Sequence, residues 1–152
     1  HVGIVKLLLG REDIRPDRSD SKGRTLLSHA AEKGHEEIVK LLLGREDVNP
    51  DSLDEWDETP LSFAVEKEHE GIVKLLLARQ DVNPDRLDGF GLTYGRTPLL
   101  RATINGHEGV LKLLLGSKDV DLDKPDGEGR TPLWWAVEKG HTEMVELLQA
   151  RK

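Results

Sequence analysis

Five of the six histidines stand at positions 1, 35, 69, 107 and 141, at intervals of 34, 34, 38 and 34 residues. The phrase that follows each is nearly constant: Ile4-Val5-Lys6-Leu7-Leu8-Leu9, Ile38 to Leu43, Ile72 to Leu77, Val110 to Leu115 and Met144 to Gln149. A second phrase precedes each full copy, as Gly23-Arg24-Thr25-Leu26-Leu27, Thr59-Pro60-Leu61, Gly95-Arg96-Thr97-Pro98-Leu99 and Gly129-Arg130-Thr131-Pro132-Leu133. Self-similarity at this period describes a tandem array of small units, none of which can bury its own apolar face without a neighbour. Composition agrees. With 36% hydrophobic and 4% aromatic residues, 152 residues are short of side chains for one compact core.

The punctuation of one unit predicts its local structure. Thr59, Thr97 and Thr131 each precede a proline, the order of an N-cap hydroxyl followed by a first helical residue with no amide to leave unpaired. The first helix carries small residues at Ala30, Ala31, Ala64, Ala102 and Ala136 and ends near Gly34, Gly106 or Gly140, where a left-handed cap is least costly. A second helix opens at the histidine, with acids such as Glu36 and Glu37 in its first turn, where the helix dipole favours them. Its Ile, Val and Leu positions form the buried stripe. Turn-forming clusters such as Asp47-Val48-Asn49-Pro50-Asp51 then end the helix. The unit reads as helix, turn, helix, extended hairpin loop.

These phrases resemble the ankyrin repeat family, whose signature includes T-P-L-H-x-A, a G-H turn and an I-V-x-L-L-L helix. Thr59-Pro60-Leu61-Ser62-Phe63-Ala64, Gly34-His35 and Ile38 to Leu43 carry the match, and it covers essentially the whole chain. The 34-residue unit is a variant that looks like fungal ankyrin arrays. The resemblance implies an all-α solenoid of stacked helix-turn-helix units with projecting hairpin loops. Residues 1–152 are expected to form a single ankyrin repeat domain: a partial repeat 1–19, repeats 20–53, 54–87 and 88–125, and a C-terminal capping repeat 126–152. Two departures stand out. The family's histidine after Pro-Leu is replaced by Ser28, Ser62, Leu100 and Trp134, and Glu68 stands where the other copies have glycine. The last copy is expected to be polar at its end, through Glu146 and Gln149. Ile4, Val5, Leu7 and Leu8 have no preceding helix to cover them, so further repeats or another domain are expected upstream.

Charge and motifs narrow the function. Lys and Arg total 22 against 29 Asp and Glu, a net charge of −7, which argues against nucleic acid. The longest aliphatic runs are triplets, far short of a membrane span. No cysteine is present, so disulfides and thiolate sites are excluded, and a reducing intracellular setting, cytoplasmic or nuclear, is permitted. His35-Glu36, His69-Glu70 and His107-Glu108 begin like a zinc-protease helix, but Val39, Val73 and Leu111 stand where the second histidine is needed. Asp119 to Asp123 begins like a calcium loop, but Lys124 and Arg130 replace its glycine and its bidentate Glu. Gly89 to Gly95 lacks the spacing and the Lys-Ser/Thr of a phosphate loop. The expectation is a protein that is not an enzyme and holds no cofactor or metal.

Three acidic columns repeat: Asp13, Asp47, Asp81, Asp119; Asp17, Asp51, Asp85, Asp123; and Asp20, Asp54, Asp88, Asp126. Local turn bonds are the favoured reading, and an acidic strip that steers a basic partner is the other. All six aromatic residues fall between 56 and 135, and none is in a second helix. Trp134, at a position usually packed between repeats, is expected in the core. In the family, first helices and hairpin tips line a concave groove. The resemblance therefore implies that Trp56, Phe63, Phe90, Tyr94, Arg96, Arg101, Arg130 and Trp135 contact a partner, since aromatics and Arg most often anchor interfaces. The four-residue insertion around Phe90 to Tyr94 extends one hairpin of that groove. The expected role is a non-catalytic protein–protein interaction module, monomeric or part of a longer chain. The alternative is an intramolecular scaffold or regulatory arm of a larger enzyme or nucleotide-binding receptor-type protein.

Overall fold

A computed structural model describes residues 2–11, 14–89 and 95–151. Among these residues every regular element is an α-helix. In chain order they are α1 (Val2–Leu9), α2 (Leu26–Glu32), α3 (Glu36–Leu43), α4 (Pro60–Glu66), α5 (Glu70–Leu77), α6 (Pro98–Asn105), α7 (Glu108–Gly116), α8 (Pro132–Lys139) and α9 (Thr142–Ala150). Helices α2, α4, α6 and α8 pack side by side in one row, and α1, α3, α5, α7 and α9 form a second row behind it. The fold is the expected all-helical solenoid.

Each first helix begins for the reason its sequence predicts. Thr25, Thr59, Thr97 and Thr131 have extended backbones, and their hydroxyls accept from the amides of Ser28, Ser62, Leu100 and Trp134 at 3.1–3.2 Å. At Thr59 the Ser62 hydroxyl also takes up the cap residue's own amide, closing a capping box. The inter-helix turns are left-handed at Gly34, Gly106 and Gly140, with φ of 71–77°. Glu68 is forced into the same conformation at φ 57°.

The inter-helix turn also sets how successive units meet. The His69 ring packs on Gly34 so closely that a Cβ there would fall 2.8 Å from Cε1, and its Nε2 bonds the Glu32 carbonyl at 3.2 Å. His141 also packs on Gly106, where a Cβ would fall 3.1 Å from Cε1, but its Nε2 is buried without a hydrogen-bond partner. At Glu68 a Cβ is present, and His107 instead uses Nδ1 to reach the Val65 carbonyl, one residue earlier in register, at 2.9 Å. His69, His107 and His141 are thus structural parts of the unit interface.

The core is thin and continuous. It runs through Leu27, Leu61 and Leu99 of the front row and Val39, Leu42, Val73, Leu76, Leu111 and Leu114 of the back row, all almost fully buried. Val48, Val82 and Val120 extend it into the loops. A guanidinium clasp repeats behind it: Arg79 donates to the Leu43 carbonyl at 2.6 Å while holding Asp81, and Arg45 does the same with Leu9 and Asp47. At one end Ile4, Leu7 and Leu8 are exposed, as expected of α1. At the other, Glu146 and Gln149 of α9 face solvent as expected, but Trp134 and Val137 of α8 are 45% and 62% exposed. Trp134 is therefore not a core residue. Leu100, its counterpart in α6, is fully buried in a helix that packs on both α4 and α8, whereas among the described residues α8 packs mainly on α6 and α9.

Candidate partner-binding face

The face is built from the hairpin feet upward. In three units the hairpin closes by an amide-to-carbonyl bond four residues apart, Asp20 to Arg24, Asp54 to Glu58 and Asp126 to Arg130. In the longer unit the same bond joins Asp88 to Arg96, so the four inserted residues lie between these two. The Asp that opens each hairpin accepts turn amides with Oδ1, as Asp54 does from Trp56 and Glu58 at 2.9 and 3.0 Å. This column therefore makes the local turn bonds expected of it. Buried Asp54, Asp88 and Asp126 leave Oδ2 pointing towards the first helices, where the side chain four residues after the Thr competes for it.

That competition gives each unit a different surface. Asp88 Oδ2 takes Arg101 Nε at 2.5 Å, and Asp126 Oδ2 takes Trp135 Nε1 at 3.0 Å and Arg130 Nε at 2.9 Å. Phe63 has nothing to donate, so Asp54 takes Arg24 Nε from the preceding unit at 3.2 Å. Burial works against the charge on Asp126, but the amides of Arg130 and Glu128 together with the Trp135 indole hold its carboxyl below the ordinary range.

Between these ends lies a charge chain that crosses three units. Arg101 bonds Glu58 at 2.6 Å and pairs with Asp88 and Glu66, and only 12% of its side chain is exposed. Burial opposes its charge, but Asp88 and Glu58 outweigh burial and keep the guanidinium protonated. Glu58 lies 3.8 Å from Arg24, which also pairs with Asp54 and Glu32. Burial pushes the Glu58 carboxyl above its ordinary value of 4.5, with Arg101 pulling the other way. These side chains other than Asp54, with Phe63, Lys67, Arg96 and Asn105, line an open groove of about 600 Å³.

The structure gathers the expected partner residues into two clusters. In the first, the Arg24 guanidinium lies 4.4 Å from the Phe63 ring centre and 5.6 Å from that of Trp56, with Lys22 at 5.5 Å from Trp56. In the second, Arg130, Lys139 and Arg96 surround Trp135 at 4.5, 5.7 and 5.8 Å. Trp134 meets Trp135 edge to face at 5.1 Å. Trp56, Arg96, Arg130 and Trp135 are half-buried and reachable. Phe63 is 4% exposed, and with Arg101 it supports the face from beneath instead of presenting itself on it. Phe90 and Tyr94 lie outside the described residues. Sequence alone does not connect Asp54, Asp88, Asp126 and Glu66 to this face. The available signal was a pair of charge exceptions: Glu58 in a column otherwise Arg24, Arg96 and Arg130, and Arg101 in a column otherwise His29, Phe63 and Trp135.

Among the described residues no three acidic or histidine side chains converge as a metal site, and no helix is long and apolar enough to cross a membrane. Two rows of short helices joined by left-handed turns, with hairpins along one edge, define a repeat solenoid. The family model for ankyrin repeats matches residues 1–88 and 82–152, with three copies, and the chain belongs to that family. No curated protein matches the chain significantly. Ankyrin repeats are generally protein–protein interaction modules and typically non-catalytic.

Proposed function

We propose that this chain is a non-catalytic protein-binding module that holds its partner along the face of hairpins and first helices. One observation carries the reading. All four described aromatic rings, Trp56, Phe63, Trp134 and Trp135, lie on hairpins or first helices, and each has a cation within 6 Å of its ring centre. Aromatic area with interleaved guanidinium groups is the composition that most often anchors a protein interface. Trp56, Arg96, Arg130 and Trp135 are the proposed contacts, with Phe63 and Arg101 as their support. Phe90 and Tyr94 join them on sequence grounds. The repeat division at 20, 54, 88 and 126 is part of the same proposal, since each of these Asp residues opens a hairpin.

The test is affinity capture with the immobilised chain, comparing wild type, a Trp56→Ala/Trp135→Ala variant and a Lys40→Ala/Lys74→Ala/Lys112→Ala control on the second helices. The captured protein is expected to be lost with the first variant and kept with the second. Retention by the aromatic variant with loss by the lysine control places binding on the opposite face.

A further inference from the structure

The repeat register allows Arg96 to be compared with Arg24, which holds the same position in an earlier unit. Arg24 has three anionic partners: Glu32 in its own first helix, and Asp54 and Glu58 in the next hairpin. The residues in the same register around Arg96 are Ile104, Asp126 and Arg130. The first is apolar and the third is a cation. The second is occupied, because Asp126 Oδ2 already receives the Trp135 indole N–H and Arg130 Nε. Among the described residues no carboxylate pairs with the Arg96 guanidinium, which instead lies over the Trp135 ring at 5.8 Å. The inserted residues 90–94 contain no acid to supply one. Among the described residues the half-buried Arg96 guanidinium thus has no carboxylate partner, in a chain with 29 acidic residues, and it lies in the groove on the side of the Trp135 ring.

We infer that Arg96 is the subsite for an aspartate or glutamate side chain of the partner, with the residue beside it in the partner being apolar and resting against Trp135 and Ile104. This inference rests on the proposed binding role of the face. A planar guanidinium matches a carboxylate through two parallel N–H bonds, and the Trp135 ring lies 5.8 Å from that fork. A neutral or basic partner segment would cover Arg96 without satisfying it, and burying an unpaired charge opposes binding. Trp135 has two duties here. Its indole N–H occupies Asp126, and its ring borders Arg96 at 5.8 Å.

The test is selection of a displayed library of random dodecapeptides on the full chain, followed by affinity measurement with a synthetic enriched peptide. Enriched peptides are expected to carry Asp or Glu next to an apolar residue. Loss of a charge-assisted bidentate contact in Arg96→Gln is expected to weaken that peptide at least about tenfold, whereas Lys118→Gln on an exposed loop leaves it unchanged. Arg96→Lys, which keeps the charge and loses the fork, is expected to fall between the two. Helical circular dichroism equal to wild type establishes that the variants are folded. Enrichment of peptides without acids, or acidic peptides indifferent to Arg96→Gln, overturns the subsite while leaving the binding face intact. Failure of the chain to enrich any peptide counts against the binding face itself, and the subsite falls with it.

Discussion

Arg101 donates to Glu58 at 2.6 Å across a unit boundary, and each residue is the charge exception in its own column of the repeat. Where other units place Arg before the Thr, this boundary places Glu, and the following unit supplies the Arg from four residues after its own Thr. The two departures compensate each other. Because Glu58 also approaches Arg24, the pair joins three units through one chain of charges.

Removing Arg101 leaves Asp88 buried without its cation and Glu58 with only Arg24 at 3.8 Å, the costly way to break such a network. Arg101→Met is expected to destabilise the chain by about 3 kcal/mol in urea unfolding. Adding Glu58→Gln should recover part of that loss. Equal stability of wild type and Arg101→Met would show that the network contributes nothing.

Glu68 occupies a left-handed turn, at φ 57°, that glycine fills in the neighbouring units. Glu68→Gly is therefore expected to stabilise the chain by about 1 kcal/mol, more than the added freedom of the unfolded glycine costs. It should also let His107 adopt the ring position His69 holds on Gly34, visible as a change in its NMR tautomer signals. No gain in unfolding midpoint would count against strain at this turn.

Leu100 and Trp134 share a column, but Leu100 is fully buried and Trp134 is 45% exposed. Leu100→Ala is expected to cost about 3 kcal/mol, while Trp134→Ala should cost less than about 1 kcal/mol. Thermal unfolding of the two variants side by side checks this, and an equal loss in both would contradict the different burial of the two side chains.

Two carboxyls respond to pH in opposite senses. The Asp126 carboxyl is held below its ordinary 3.8 in the folded chain, so its stabilising contribution is present above that value and is lost as pH falls through the lower folded value. Glu58 is pushed above its ordinary 4.5, so its contribution is present below that value and is lost as pH rises through the higher folded one. Stability measured between about pH 6 and pH 2 should therefore fall less steeply on acidification in Asp126→Asn than in wild type, and more steeply in Glu58→Gln. Carboxyl NMR titrations that place Glu58 below Asp126 would contradict at least one of the two assignments.

Much of the fold was legible because its determinants are local. Thr-Pro fixes where a first helix starts, glycine fixes where it turns, and the recurring histidine marks a turn where His69, His107 and His141 pack on the preceding unit. Side-chain placement was legible only where one unit decides it. Phe63 sits in an expected contact column but is buried, because the Arg24 guanidinium of the preceding unit lies over it. Trp134 sits in an expected core column but is 45% exposed, while Leu100 in the same column is buried in a helix flanked by α4 and α8. Arg101 looks like a free anchor until the carboxylates of two units converge on it. Each miss concerns a contact between units, which the pattern within one unit does not contain.

The central claim is that the hairpins and first helices, and not the second helices, carry the partner. Hydrogen–deuterium exchange of the chain with and without its captured partner tests this most directly. Added protection is expected in the hairpins at 54–58 and 126–130 and in the opening turns of α4, α6 and α8, with α3, α5 and α7 unchanged. Protection confined to α3, α5 and α7 would contradict it.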